Sequence, residues 1–297
     1  MSSRIFVAGA TGVLGRQIVP LLVAAGHQVT ANVRSRAAAA IATEQGALCR
    51  TVDLFDDEAT HALGVDHDVV VNVATAIPSG PRAVRKGAWA TNDRLRTDAA
   101  RGLASSMAAT HGRYIGESIT FPYVDAGDEW IEEDRDRSCV PATATSVNAE
   151  AAAASVTAGG GVGVALRFAM FFSADSAHTA ETLSMAARGL CGLTGQPDAY
   201  VSLVHVDDAA AAVVAALGAP AGVYNVAEAT PSRRSEHAEA LARAVGRRKV
   251  RQVAPWLQRM GGSGLETVSR SHRISSGSLA ASTGWEPTVA VVERWGD

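Results

Sequence analysis

Arg4-Ile5-Phe6-Val7-Ala8-Gly9-Ala10-Thr11-Gly12-Val13-Leu14-Gly15-Arg16 is the stretch that decides the fold. Ile5 to Ala8 is a short apolar run ending at a glycine, as in a buried parallel strand. Gly9, Gly12 and Gly15 follow at three-residue spacing. Val13 to Ala25 then carries helical apolar spacing through Val13, Leu14, Ile18, Leu21 and Leu22, and stops at Gly26 as a C-cap glycine. Strand, glycine turn and helix in this order predict a phosphate site. The glycines admit backbone close to a pyrophosphate, and the helix start offers unpaired N–H groups with a positive dipole.

Working outward, 297 residues suffice for one or two domains with a large core. Apolar residues at 47% and charged residues at 19% describe a globular chain, not a disordered one. A net charge of −3 argues against nucleic acid or an anionic membrane as a general partner. The one basic run, Arg247-Arg248-Lys249-Val250-Arg251, is short and reads as a solvated loop. Cys49, Cys139 and Cys191 are an odd set without paired spacing. They suit a reducing cytoplasm and give no zinc pattern, so no metal is expected. The longest apolar run, near Ala209 to Leu217, is too short to span a membrane. The glycines and early helix fit a nucleotide fold better than a signal peptide.

Strands and helices alternate through the first half, predicting a doubly wound α/β fold with a parallel sheet of about six strands. Further strands are expected at Gln28 to Val33, Ala47 to Val52, Val69 to Val73, Arg113 to Ser118 and Gly163 to Phe168. Helices are expected at Arg36 to Gln45, Asp56 to Leu63, Trp89 to Thr110 and Ser146 to Ala158. The second half is less regular. It offers helices at Thr179 to Leu190, at Ala209 to Leu217 capped by Asp207, and at Ser235 to Val245 capped by Ser235. Strands are expected at Val201 to Val206 and Val223 to Val226, and the tail Arg273 to Pro287 has no clear period. A boundary near residue 170 separates a dinucleotide-binding Rossmann domain (1–170) from a smaller C-terminal substrate domain (171–297). Residues 201–217 are expected to pack back on the first.

Cofactor-binding positions follow from the fold. The loop supplies Gly9, Thr11, Gly12, Val13 and Leu14. An NAD site needs an acidic residue at the end of the second strand, about 20 residues past the glycines. Here that place reads Asn32-Val33-Arg34-Ser35-Arg36. No carboxylate repels a 2′-phosphate and Arg34 can pair with one, so NADP(H) is favoured over NAD(H). Asp53 and Leu54 end the third strand where adenine would lie, although Asp53 could equally cap the helix that follows. Val73, Ala74 and Thr75 end the fourth strand beside the expected nicotinamide ribose.

The glycine spacing resembles that of the extended and atypical short-chain dehydrogenase/reductases, the epimerase/dehydratase-like group. Asn72-Val73-Ala74-Thr75, Ser118 to Tyr123, Leu166-Arg167-Phe168, Val204-His205-Val206-Asp207-Asp208-Ala209 and Gly284-Trp285-Glu286-Pro287 agree along nearly the whole chain. The resemblance implies a Ser/Thr, a Tyr and a Lys as the catalytic set, with Tyr four residues before Lys. This chain lacks that pair: Tyr114, Tyr123, Tyr200 and Tyr224 are followed four residues on by Ser118, Gly127, Val204 and Glu228, and the lysines are Lys86 and Lys249. Aligning Ala149-Glu150 with the family helix puts Ala142 at the Tyr place and Ser146 at the Lys place. The Ser/Thr place holds Ile119.

By elimination Tyr123 is the expected proton donor, with Ser118 or Thr120 orienting a substrate oxygen. A packed tyrosine with a satisfied hydroxyl is the alternative. Thr143, Thr145 and Ser146 read as capping residues, and the acidic loop Gly127 to Asp134 as a solvated segment or a lid. His205 with Asp207 and Asp208 reads as a helix start, not a metal set. The expected function is an NADP(H)-dependent oxidoreductase or epimerase/dehydratase-like enzyme on a small carbonyl or hydroxyl substrate. A non-redox cyclase or lyase with a structural cofactor, and a catalytically silent NADP(H) sensor, remain as alternatives. The resemblance alone suggests a homodimer through Trp89 to Thr110 and Ser146 to Ala158.

Overall fold

Short apolar runs form the main sheet of the computed structural model, which describes residues 2–78, 86–174, 176–252 and 262–296. The strands are β1 (Arg4–Ala8), β2 (Gln28–Asn32), β3 (Leu48–Arg50), β4 (Val69–Asn72), β5 (Arg113–Ile119), β6 (Val162–Phe168) and β7 (Gly222–Val226). All pair in parallel, in the order β7-β6-β5-β4-β1-β2-β3. The order reverses between β1 and β4, where doubly wound sheets hold their ligands. Seven strands replace the six expected. The run near Val223 was expected as a separate short strand, but its apolar residues pair with β6 and complete the sheet.

Successive strand residues face opposite sides, so each strand feeds two cores. Ile5 and Val7 join Val71, Ile115, Val164 and Leu166 on one face, where α1 (Gly15–Ala24) packs with Ile18 and Leu22. Phe6 and Ala8 join Val70, Tyr114 and Ala165 on the other. Each fully buried Ile or Leu contributes about 1.5–3 kcal/mol of transfer free energy. After α2 (Arg36–Glu44), α3 (Ala100–Thr110) and α4 (Ser146–Ala158) cover the second face with Leu103, Met107, Ala153 and Val156. α5 (Val206–Ala215) returns to the first face, where Ala209, Ala210 and Val213 share a core with Ile18 and Leu22 of α1. Arg113 locks this return, its Nη1 donating to the carbonyls of Ala216 and Ala219 at 3.1 and 2.7 Å. A third core forms around Phe172, Cys191, Leu203, Leu241 of α6 (Arg234–Ala244), Val291 and Trp295.

Several expected boundaries move for local reasons. The helix expected over Trp89 to Thr110 is a 3₁₀ turn at Lys86–Trp89, a short α-helix at Ala90–Arg94 and a π turn at Leu95–Ala99 leading into α3. The strand expected over Val201 to Val206 splits into Tyr200–Val201 and Leu203–His205. Ser202 between them donates to the His272 carbonyl and accepts from the Ile274 amide. His205, not Asp207, caps α5, its Nδ1 accepting from the Asp207 amide at 3.3 Å. Arg233, not Ser235, stands at the N-cap of α6, and Glu236 reaches back to its amide. The tail carries a short strand, Arg273–Ile274, and a helix, Gly277–Thr283.

Candidate functional site: a dinucleotide loop beside a buried polar cluster

The three glycines of the first loop do different work. Gly9 has φ +86°, and a Cβ there would lie 2.7 Å from the carbonyl carbon of Val73. A Cβ on Gly15 would lie 2.1 Å from the Gly9 carbonyl oxygen. Both are required by the protein's own packing. Gly12 is exposed, and the nearest atom to a Cβ there is the Gly9 oxygen at 3.3 Å. Its open side faces outward at the start of α1. The N-cap of that helix, Leu14, supplies no side-chain cap; the Arg16 and Gln17 amides bond to the Gly12 and Leu14 carbonyls, and those of Val13, Leu14 and Gly15, with no acceptor among the described residues, are left for an external one. Thr11 accepts from Arg16 Nε at 3.0 Å through its carbonyl, and Val13 is exposed beside it. An uncapped helix start, beside a glycine that packing does not demand, fits a dinucleotide's pyrophosphate.

At the end of β2, Asn32 is buried and spent. It donates to the Val52 carbonyl at 3.2 Å and accepts from the Val52 amide at 2.9 Å, clamping β2 to the segment after β3. Val33 follows, buried, and Arg34 is exposed, with no ion pair among the described residues. Ser35 caps α2 by accepting from the Ala38 amide. Asp53 is exposed and accepts from the Phe55 amide at 3.0 Å, while Asp56 caps the helix Asp57–His61. Leu54 packs at the edge of the second core. Val73 donates its amide to the Ala8 carbonyl, and Asn72 fixes the turn into Ala74 by accepting from the Ala74 amide at 3.3 Å. Thr75 is exposed beyond it. The loop, Arg34, Asp53 and Val73 to Thr75 therefore stand at the C-terminal ends of β1 to β4.

The expected acid/base residues lie deeper. Tyr123 has no exposed surface. Its hydroxyl donates to Asn225 Oδ1 at 2.8 Å and accepts from Arg167 Nη1 at 2.5 Å. Burial pushes its pKa up, against the pull of Arg167 and Asn225. Such a phenol is closed off from a substrate and does not suit the donor role expected of it. Ser118, also fully buried, donates to Glu150 Oε1 at 2.9 Å. Thr120 is buried and carries its amide to the Phe168 carbonyl. Ser146 turns its hydroxyl back to the Thr143 carbonyl at 2.7 Å. Thr145 donates to Asp93 Oδ1 at 3.2 Å and does not cap α4 with its side chain.

What joins Ser118 and Tyr123 is an ion cluster that sequence reasoning missed. Glu150 on α4 takes Arg167 through Nε at 2.8 Å and Nη2 at 2.9 Å, and Arg137 at 2.6 Å. Burial works against both charges, yet the pairing holds the Glu150 carboxyl below its usual range and Arg167 above its own. Arg167 also donates to the Glu133 carbonyl, and Glu133 accepts from the Asn225 amide and from Ser278. The cluster thus ties β5, β6, α4, β7, the acidic loop and the C-terminal tail together. A second buried pair, Arg96 to Glu117 at 2.8 Å, joins the π turn to β5. The available signal was a charge inside an apolar run, Leu166-Arg167-Phe168, which must find a partner once buried.

Comparison with known proteins agrees with this geometry. The model of the NAD dependent epimerase/dehydratase family matches residues 5–227. A "3-diazoavenalumate denitrifying reductase" from Streptomyces sp is 28% identical over 303 residues, covering 96% of each chain. The dTDP-glucose 4,6-dehydratase of Bacillus anthracis str. Ames, solved in complex with NAD, superposes with a TM-score of 0.77 at 14% identity, over 99% of this chain and 94% of that one. The UDP-glucose 4-epimerase of Thermotoga maritima, solved with UDP-glucose, gives 0.74 at 16% identity, over 99% and 96%. These two establish the fold.

Proposed function

The chain belongs to the NAD dependent epimerase/dehydratase family, and from that premise we propose that it is an NADP(H)-dependent reductase of a small electrophile that needs no proton from a tyrosine–lysine pair. The observation that carries this reading is the enclosure of Tyr123 between Asn225 and Arg167. No tyrosine of the chain stands four residues before a lysine. When bound, the dinucleotide supplies hydride, and a cationic acceptor such as a diazonium group is neutralised by it, leaving no alkoxide to protonate. The name of the Streptomyces relative, a denitrifying reductase of a diazo compound, supports this acceptor class.

The chain's own residues then bind and enclose. Gly9, Thr11, Gly12, Val13 and Leu14 hold the pyrophosphate at the start of α1. Arg34 pairs with the 2′-phosphate, with Val33 at the place of the acid an NAD site would carry. Asp53 and Leu54 border the adenine, and Val73, Ala74 and Thr75 border the nicotinamide ribose. Ser118 and Thr120 close the end of β5 as packed groups, keeping water from the transfer.

The test is NADPH consumption with aryl diazonium and diazo compounds, and with ketones, aldehydes and enones, each read above the rate without protein. Consumption with the diazo class, with one dinitrogen released per NADPH, is the expected result. Consumption with carbonyl compounds alone, abolished in Tyr123→Phe, overturns it, as does nucleotide binding without turnover of any class.

A further inference from the structure

Away from the strand ends, a groove of about 640 Å³ runs along α6 and the segment after it, within the usual range for small-molecule sites. Ala238, Ala242 and Val250 are buried along it. Arg243, Arg247, Arg248, Lys249 and Arg251 border it and are all exposed. None of the five forms an ion pair among the described residues, whereas Arg4, Arg50 and Arg101 elsewhere on the chain each find an aspartate. Glu239 is the one carboxylate in the lining. Arg243 has a local reason to be there, since it sits in the last turn of α6 and offsets the helix's negative end. Arg247 has one too, since its Nε meets the carbonyl of Ala187, the last residue of the helix Ala177–Ala187, but Arg248, Lys249 and Arg251 have none. Their mutual repulsion is a cost, on a chain whose net charge is −3. The scaffold beneath them is set by backbone contacts: Arg247 Nε donates to the Ala187 carbonyl at 2.7 Å, and Arg251-Gln252 pairs in parallel with Leu190-Cys191.

We propose that this groove is a second anion site, for a small ligand carrying two or more phosphates. Arginine forks and an ammonium suit phosphate oxygens, and cations spread along a groove can serve more than one phosphate. The acidic remainder of the chain disfavours a long polyanion and leaves a compact one. No lining residue belongs to the dinucleotide loop or to the strand ends, so the site stands apart from the proposed reduction.

Inorganic pyrophosphate is titrated calorimetrically into the full chain at about 150 mM KCl, where diffuse surface attraction is largely screened. Arg248→Ser/Lys249→Ser/Arg251→Ser is expected to weaken binding by about tenfold or more, as the loss of charge-assisted bonds requires. Glu239→Gln, which removes the opposing carboxylate, is expected to tighten it. Gly12→Val, which blocks any binding of the probe at the dinucleotide loop, is expected to leave the groove's own binding event in place. No binding by the unaltered chain at millimolar pyrophosphate overturns the proposal. So does loss of binding in Gly12→Val with retention in the triple variant, which places the anion at the dinucleotide loop. If the triple variant fails to fold, Glu239→Gln decides, and an unchanged affinity there overturns the proposal.

Discussion

Arg167 reaches two groups at once: Nη1 stands 2.5 Å from the Tyr123 hydroxyl, while Nε and Nη2 hold the two carboxylate oxygens of Glu150 at 2.8 and 2.9 Å. One buried guanidinium therefore fixes the phenol that elimination singles out for catalysis. Tyr123→Phe leaves Asn225 Oδ1 without its donor, while Arg167 Nη1 keeps only the Glu133 carbonyl. Unsatisfied buried groups of this kind cost about 1–3 kcal/mol. The expected outcome is a lower urea midpoint with turnover of the diazo class nearly unchanged. A fall in turnover of about 10²-fold or more, the usual contribution of a general acid, would return Tyr123 to the mechanism.

Glu150 is the counter-charge for Arg167 and Arg137 together. Glu150→Gln keeps the shape and removes the charge, leaving a buried guanidinium uncompensated. Breaking such a pair from one side costs about 3–5 kcal/mol. Arg50→Ala, which removes a pair exposed on both sides, is expected to cost under about 1 kcal/mol. Chemical denaturation of the two variants side by side checks the ordering.

The sheet was legible because its strands are uninterrupted apolar runs with glycine or polar stops, and a run such as Val69 to Val71 has few alternatives to burial. The glycine turn after β1 was legible because close approach leaves only glycine at Gly9 and Gly15. The ion cluster was not. Glu150 and Arg167 are 17 residues apart on different elements, and only the packing of α4 on β5 and β6 brings them into contact. The π turn at Leu95–Ala99 was hidden too, since apolar spacing reports a face and not the width of a turn. Asn72 shows the same limit: it reads as a polar strand end, yet its amide is fixed by the Tyr114 hydroxyl at 3.0 Å.

Gly12 and Gly15 separate binding from folding. Gly15→Ala drives a Cβ into the Gly9 carbonyl, so backbone must move, and strain of about 1–3 kcal/mol is expected as a lower melting temperature. A Cβ at Gly12 meets only the Gly9 oxygen, at 3.3 Å, and Gly12→Val is expected to fold with an unchanged circular dichroism spectrum. It fills the space a pyrophosphate would use, so dinucleotide binding should vanish. Retained binding in Gly12→Val would place the nucleotide elsewhere.

Arg34 tests cofactor choice. It is exposed at the end of β2, unpaired among the described residues, where it can meet a 2′-phosphate. A charge-assisted hydrogen bond contributes about 1.5–3 kcal/mol, so Arg34→Ala should weaken NADPH by about 10- to 100-fold and leave NADH nearly unchanged. Calorimetry with both nucleotides gives the answer. Equal affinities in the unaltered chain would remove the NADP(H) preference.

Glu228 gives the chain a pH dependence of definite sign. Its carboxylate is 2% exposed and accepts from the amides of Leu203 and Val291 at 3.1 and 2.9 Å, with no ion pair among the described residues. Burial raises its pKa to about 7, from the 4.5 of a free carboxyl, although both amides pull it down. Between those values the folded chain holds a proton that the unfolded chain has released. This contribution is therefore fully present below pH 4.5 and is lost as pH rises through 7. His237 and His272, buried with pKa values lowered to about 3 and about 4, act in the opposite direction below pH 6.5. The Glu228 contribution must accordingly be read as a difference. In Glu228→Gln the side chain no longer titrates, and its amide faces one backbone N–H at a cost that does not vary with pH. From pH 7.5 down to pH 5, the unaltered chain should gain about 2 kcal/mol on Glu228→Gln, at roughly 1.4 kcal/mol per unit of pKa difference. Urea denaturation of both proteins at the two pH values measures that gap, and a gap that stays constant would mean Glu228 is ionised throughout the range.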